Sequence, residues 1–133
     1  MAFEHPEHAD PCPCGRGTEY GACCGPLHRG DAAPTAERLM RSRYSAFVLG
    51  DADYLLHSWH PSTRPSAMEL DPEVTWKRLL IESVSAGGPF DDRGEVIFTA
   101  IARTTAGRME QRERSRFARA DEGRWVYLDG DAL

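Results

Sequence analysis

Four cysteines fall within thirteen residues, Cys12 and Cys14 followed by Cys23 and Cys24, and they are all the cysteine the chain has. The spacing is C-x-C, eight residues, then C-C. Thiolates are soft ligands, and four of them make the closed tetrahedral set of a structural zinc site. Gly15 and Gly17 allow a tight turn in which backbone amides approach the sulfurs. With Pro26 they leave little local core, so bound metal is expected to supply this segment's folding energy. The expected cofactor is structural Zn²⁺ on Cys12, Cys14, Cys23 and Cys24. The alternative is reduced or disulfide-bonded cysteine, but clustered cysteines in a reducing compartment are more often metal ligands. A four-thiolate shell has no open position for water, so no hydrolytic chemistry is expected at the metal.

A second group of residues suggests a pocket. Arg43 shares the helical stripe of Ala36, Met40 and Phe47, which should face a core. A buried arginine needs a carboxylate. On the later strand 109–120, period-two alternation puts Glu113, Ser115 and Gln111 on the face of Phe117. An Arg43–Glu113 pair is therefore expected, either as a structural tie or as a polar anchor for a ligand. Trp59-His60 could add a stacking surface and a general base, although core packing and helix capping are the commoner uses of such a pair. The expected pocket is Arg43, Tyr44, Trp59, Glu113, Ser115 and Phe117, with His60 and Glu113 as the only acid–base candidates.

These residues need a scaffold, and the pattern supplies helices first and strands after. Thr35, behind Pro34, is a good cap for a helix carrying Ala36, Leu39, Met40, Tyr44, Phe47 and Val48, stopped by Gly50. A second helix is expected from Asp51 or Asp53 to about His60, ended by Pro61. Asp71-Pro72-Glu73 predicts a third, through about Arg78. Strands are expected over 79–86, 95–105, 109–120 and 124–129, with 87–94 a loop and turns at 106–108 and 121–123. This is an α+β fold, three helices on one face of a curved antiparallel sheet. Residues 1–11 read as a flexible arm, 12–26 as the cysteine knuckle, 27–33 as a polar connector and 34–130 as the main domain. Knuckle and domain are expected to have separate cores, so losing the metal should leave the domain folded.

Bulk properties narrow the function classes. The formal charge of −5 over 133 residues argues against a general nucleic-acid binder. Lys77 is the only lysine beside fifteen arginines. Arg38, Arg41, Arg112, Arg114 and Arg116 interleave with Glu37, Glu110 and Glu113, the pattern of a solvated, salt-bridged face more than of an RNA patch. No apolar run is long enough to span a membrane. The first residues lack a basic n-region and an apolar h-region, so a cytoplasmic protein is expected.

The knuckle DPCPCGRGTEYGACCGP resembles the SEC-C motif, also found at the tail of the secretion motor SecA. Residues 34–47 (PTAERLMRSRYSAF), 51–54 (DADY), 59–61 (WHP), 113–117 (ERSRF) and 125–130 (WVYLDG) are similar to the YchJ-like family of bacteria. That resemblance implies a SEC-C knuckle followed by a cone similar to nuclear transport factor two. Some SEC-C motifs use histidine as the last ligand, which makes His28 an alternative to Cys24. Many relatives carry a second knuckle after the cone, and this sequence carries one. The resemblance implies fold and metal but no role. The closed four-thiolate site, supported by the likeness to the SecA tail, suggests a zinc-binding adaptor whose knuckle docks to a protein of the translation or secretion machinery, with the cone as scaffold or small-ligand receptor. The competing readings are an enzyme acting on a small molecule through His60 or Glu113, and an RNA-associated protein.

Overall fold

The computed structural model describes residues 5–133, so the part of the expected arm on residues 1–4 lies outside it. Among residues 7–11 the chain is not a free arm. Asp10 accepts from the Tyr20 amide, His8 accepts from the Gly21 amide, and Pro11 bridges Glu19. These bonds fold the approach segment onto the knuckle and leave little arm within the described residues.

Three helices precede the sheet: α1 (Cys24–His28), α2 (Ala36–Leu49) and α3 (Ala52–His57). The Thr35 hydroxyl accepts from the Arg38 amide (3.1 Å), and Gly50 closes α2 in the left-handed region at φ 72°. Asp51 caps α3 through the Tyr54 amide (3.0 Å). Two expectations change here. α3 stops at His57, because residues 58–60 leave the helix to pair with the sheet: Tyr127 donates to Ser58, His60 donates to Tyr127, and Trp59 bridges Tyr127. The helix expected over 71–78 is absent. Asp71 makes a turn by accepting from the amides of Glu73 and Val74, and Thr75 already pairs with Arg103. An Asp-Pro start caps a turn as readily as a helix, and the β-branched and aromatic residues behind it favour a strand. The third helix is instead α1, in the segment expected to be knuckle end and connector.

Strands β1 (Thr75–Ala86), β2 (Arg93–Thr104), β3 (Gly107–Arg119) and β4 (Trp125–Ala132) form one antiparallel meander in the order β1-β2-β3-β4. Register shifts at Trp76/Arg78, Ile81/Ser83 and Arg116/Phe117 mark bulges, which bend the sheet toward the helices. The concave face buries Val96, Phe98, Ala100, Phe117 and Trp125 against Leu39, Met40 and Tyr44 of α2. The convex face is open and laced with ion pairs: Arg112–Glu82 (2.9 Å), Arg114–Glu95 (3.5 Å), and Arg116 with Asp129 and Asp131.

Two glycines fix how α2 sits. The Ala36 amide donates to the Gly87 carbonyl at 2.9 Å. A Cβ at Gly87 would lie 2.7 Å from the Ala36 side chain, and one at Gly94 2.6 Å from the Gly87 Cα. Only backbone without a side chain admits the first turn of α2 at this corner. The side of α2 away from the sheet is buried as well: Ser42, Ser45 and Ala46 have no exposed surface. The helix lies between the sheet and a second layer, made of α3 and the knuckle. No helix among the described residues is long and apolar enough to cross a membrane.

Candidate metal centre and cone cleft

The four cysteine sulfurs lie within 4.8 Å of one another, all in buried residues, and could hold a metal ion. Cys14 and Cys23 sulfurs are 3.6 Å apart, Cys23 and Cys24 3.9 Å, far beyond a disulfide bond, and all four cysteines are free. A turn delivers the first pair, with the Gly15 amide donating to Cys12 (3.1 Å) and the Cys12 amide to Thr18 (3.0 Å). A short 3₁₀ turn, Tyr20–Ala22, and the start of α1 deliver the second. Sulfurs this close cannot all carry charge unaided. Hydrogen bonding among them, first from Cys14, holds Cys12 well below the usual thiol range. The same bond pushes Cys14 up to about 11, and contact with Cys12 raises Cys24 further. A cation in the cage would relieve this repulsion.

The main domain grips the cage from the α2 side. Ser45 on α2 donates to Cys24 Sγ (3.3 Å) and lies 3.7 Å from Cys12 Sγ. Arg38 donates to the Cys23 carbonyl (3.3 Å) and Arg41 to the Cys14 carbonyl (3.2 Å). His28 is not a ligand. Its Nε2 donates to the Ser42 carbonyl (2.8 Å) and its Nδ1 accepts from the Tyr20 hydroxyl (2.7 Å). Burial depresses its pKa, which keeps the ring neutral in that role. Leu27, next to it, belongs to the main core. The cysteines and Tyr20 form a cluster of their own beside the main core, as expected, but the two are not independent: α1 lends Leu27 to the main core, and the cage is roofed by α2. Small polar residues on the back of a helix give no hydrophobic signal, so periodicity alone misses this contact.

The opposite flank of α2 borders a cleft of about 200 Å³, whose lining includes Arg43, Trp59, Glu113, Ser115 and Tyr127. Arg43 is 5% exposed. Its Nη1 donates to the Leu55 carbonyl and to Ser58 Oγ, both at 2.7 Å. Its guanidinium carbon lies 4.6 Å from the Tyr127 ring centre and 5.1 Å from that of Trp59. Burial lowers its pKa to about 10. The expected Arg43–Glu113 ion pair does not form, and among the described residues no carboxylate pairs with Arg43. Two groups intercept it. The last turn of α3 offers a carbonyl with partial negative charge, and the Tyr127 ring stands between. Glu113 accepts instead from Ser115 (2.5 Å) and from the Tyr127 hydroxyl (3.3 Å). It lies over Gly130, where a side chain would collide with it.

The other expected site residues scatter. Tyr44 lines a narrower crevice of about 50 Å³ with Trp76 and Phe98. Phe117 is fully buried and packs edge-on to Tyr127 at 5.9 Å. His60 does not line the cleft. Its Nδ1 accepts from the amide and hydroxyl of Ser62 in an exposed turn, so it is not joined with Glu113. Tyr127 is the residue sequence reasoning missed. Alternation along β4 could have put it on the inner face.

A cysteine knuckle roofed by the first long helix of an α+β cone defines the class of protein. The comparisons agree. Residues 9–26 match the SEC-C motif, and residues 35–130 match the family described as YchJ, middle NTF2-like domain. The chain belongs to that YchJ-like family. It is 54% identical to a UPF0225 protein of Streptomyces coelicolor over 124 residues, 92% of this chain and 96% of the relative. It is 53% identical to a UPF0225 protein of Xanthomonas oryzae over 123 residues, 90% and 93% of the two chains. The solution structure of a SEC-C motif containing protein from Rhodopseudomonas palustris is 36% identical, with a TM-score of 0.77, covering 92% of this chain and 98% of that one. A crystal structure of a SEC-C motif containing protein from Psychrobacter arcticus is 28% identical, with a TM-score of 0.74, covering 97% and 84%.

Proposed function

We propose that this is a zinc-stabilised docking protein, whose knuckle presents a surface to a protein partner of the translation or secretion machinery and whose cone is the scaffold. The observation that carries the reading is the sulfur cage. Metal–thiolate bonds of ~2.3 Å in a regular tetrahedron imply sulfur–sulfur edges of about 3.8 Å, and 3.6 and 3.9 Å are the spacings at Cys14–Cys23 and Cys23–Cys24. Cys12, Cys14, Cys23 and Cys24 would hold Zn²⁺, which supplies folding energy rather than an activated water. The chain's own part is to orient the ligands. Ser45 donates to a ligand sulfur, while Arg38 and Arg41 grip the carbonyls between which the sulfurs hang. With the inner side of the cage occupied by α2, the outer turn Gly15–Gly17 with Arg16 and Glu19 remains exposed for a partner.

Metal analysis should return one equivalent of zinc per chain, and well under half an equivalent with intact thiols would refute the site. The docking role is tested by affinity capture from a native cytosol, comparing intact protein with an Arg16→Glu/Glu19→Arg variant that leaves the cage unaltered. Partners retained equally by both forms would overturn docking through the knuckle. Arg38, Arg41, Arg112, Arg114 and Arg116 are spent on acids of neighbouring strands or on knuckle carbonyls, which supports a protein partner over a nucleic acid.

A further inference from the structure

We propose that the cone cleft binds a small organic carboxylate that also carries a hydrogen-bond donor, the chemistry of a free amino acid with an apolar side chain. The inference does not depend on the docking reading, because it concerns the other flank of α2.

Arg43 is the leading observation. A buried guanidinium is ordinarily matched by a carboxylate, and here none pairs with it among the described residues. Only Nη1 is engaged, by Leu55 and Ser58, while Nε and Nη2 donate to nothing among the described residues. Two aromatic faces hold the group in place without neutralising it. Trp59 stands in the same wall, and its indole N–H has no acceptor among the described residues, a trait it shares with the Trp125 indole of the core and with Arg38 Nε. One end of the cleft is thus rich in unspent donors with one positive charge.

The other end has the reverse character. Glu113 is held by Ser115 and Tyr127 through a single carboxylate oxygen, which leaves its other oxygen without a partner among the described residues. A ligand matched to both ends carries an anion toward Arg43 and a donor toward Glu113. The Glu113 charge disfavours a dianion such as phosphate, which a single arginine could not offset. Met40, Phe47, Met68 and Phe98 supply apolar wall between the ends. The cleft's 200 Å³ is about the share of seven liquid waters, which limits the occupant to metabolite size.

The test uses three matched probes on the full zinc-loaded chain: L-leucine, leucinamide without the carboxylate, and 4-methylpentanoate without the amine. Methionine and phenylalanine are added to vary the side chain. The readout is the Trp59 indole resonance in ¹⁵N-correlated spectra, with the Trp125 indole as the core reference. Expected is a saturable shift of Trp59 alone with the amino acids, at least about tenfold tighter than with leucinamide or 4-methylpentanoate. Glu113→Gln should weaken leucine and leave 4-methylpentanoate unchanged. Arg43→Met should abolish binding of both acids. Should that variant fold poorly, the three probes on the intact chain still decide. No saturable shift with any amino acid at millimolar concentration, or equal binding of leucine and either truncated probe, overturns the proposal.

Discussion

The two flanks of α2 solve opposite problems. Toward the knuckle, Ser45 donates to a cysteine sulfur, and the Cys14 and Cys23 carbonyls accept from arginines. Toward the cleft, a buried cation keeps donors unspent and an indole N–H has no acceptor. Three residues of one helix, Arg38, Arg41 and Ser45, complete the first site, while Arg43 between them opens the second. The knuckle flank is nearly saturated, with only Arg38 Nε left without an acceptor among the described residues, and that is what a structural element needs, since every buried unpaired group costs stability. An unsaturated flank is tolerated where a ligand can complete it.

That contrast breaks most directly at the cysteines. Cys23→Ser/Cys24→Ser should abolish metal binding and destabilise the whole chain by several kcal/mol, seen as a fall of more than about 10 °C in a single melting transition. Hydrogen exchange should show α2 losing protection together with the knuckle. If the knuckle unfolds while α2 stays fully protected, the shared-core account is wrong.

On the cleft side, Arg43→Met should cost about 2–3 kcal/mol, because Leu55 and Ser58 lose a charged donor. Glu113→Gln, which breaks no ion pair, should cost under ~1 kcal/mol. Equal losses in the two melts would restore a direct pair between them.

Alkaline pH probes the layer beneath. Burial pushes the Tyr44 phenol from 10.0 up to about 12. The folded state keeps its proton where the unfolded state has lost it, so this contribution is intact below pH 10 and declines as pH rises toward 12. Near pH 11 the loss is about 1.4 kcal/mol. Tyr44→Phe should therefore flatten the fall in melting temperature between pH 9 and 11, and an unchanged slope would show that Tyr44 does not titrate in this way.

On the knuckle side a modest effect is expected at Ser45→Ala, about 1 kcal/mol in stability. Metal should also transfer to a chelator more readily, by roughly tenfold in affinity. Unaltered retention would mean that α2 roofs the cage without tuning it.

Much of this was legible in the chain. The cysteine spacing, Thr35 and Gly50 around α2, and the alternation that carries Ser115 and Phe117 inward are local signals, and local chemistry enforces them. Asp71-Pro72 misled because a cap and a turn use the same side-chain bond, and only pairing of Thr75 with Arg103 chooses between them. His28 could be assigned from the sequence only as a possible ligand. Its place between Tyr20 and Ser42 depends on how α1 meets α2. Arg43 is the sharpest case. Its burial follows from the stripe it shares with Met40 and Phe47, but its partner does not. A buried charge takes whichever acceptor the packing brings nearest, and here that is the end of α3, with a tyrosine ring between it and the carboxylate. Ligand type and spacing were set by the sequence itself. Which buried groups were left unsatisfied was decided only when three elements distant in sequence came together, because hydrogen bonds act over ångströms in space and not over positions in the chain.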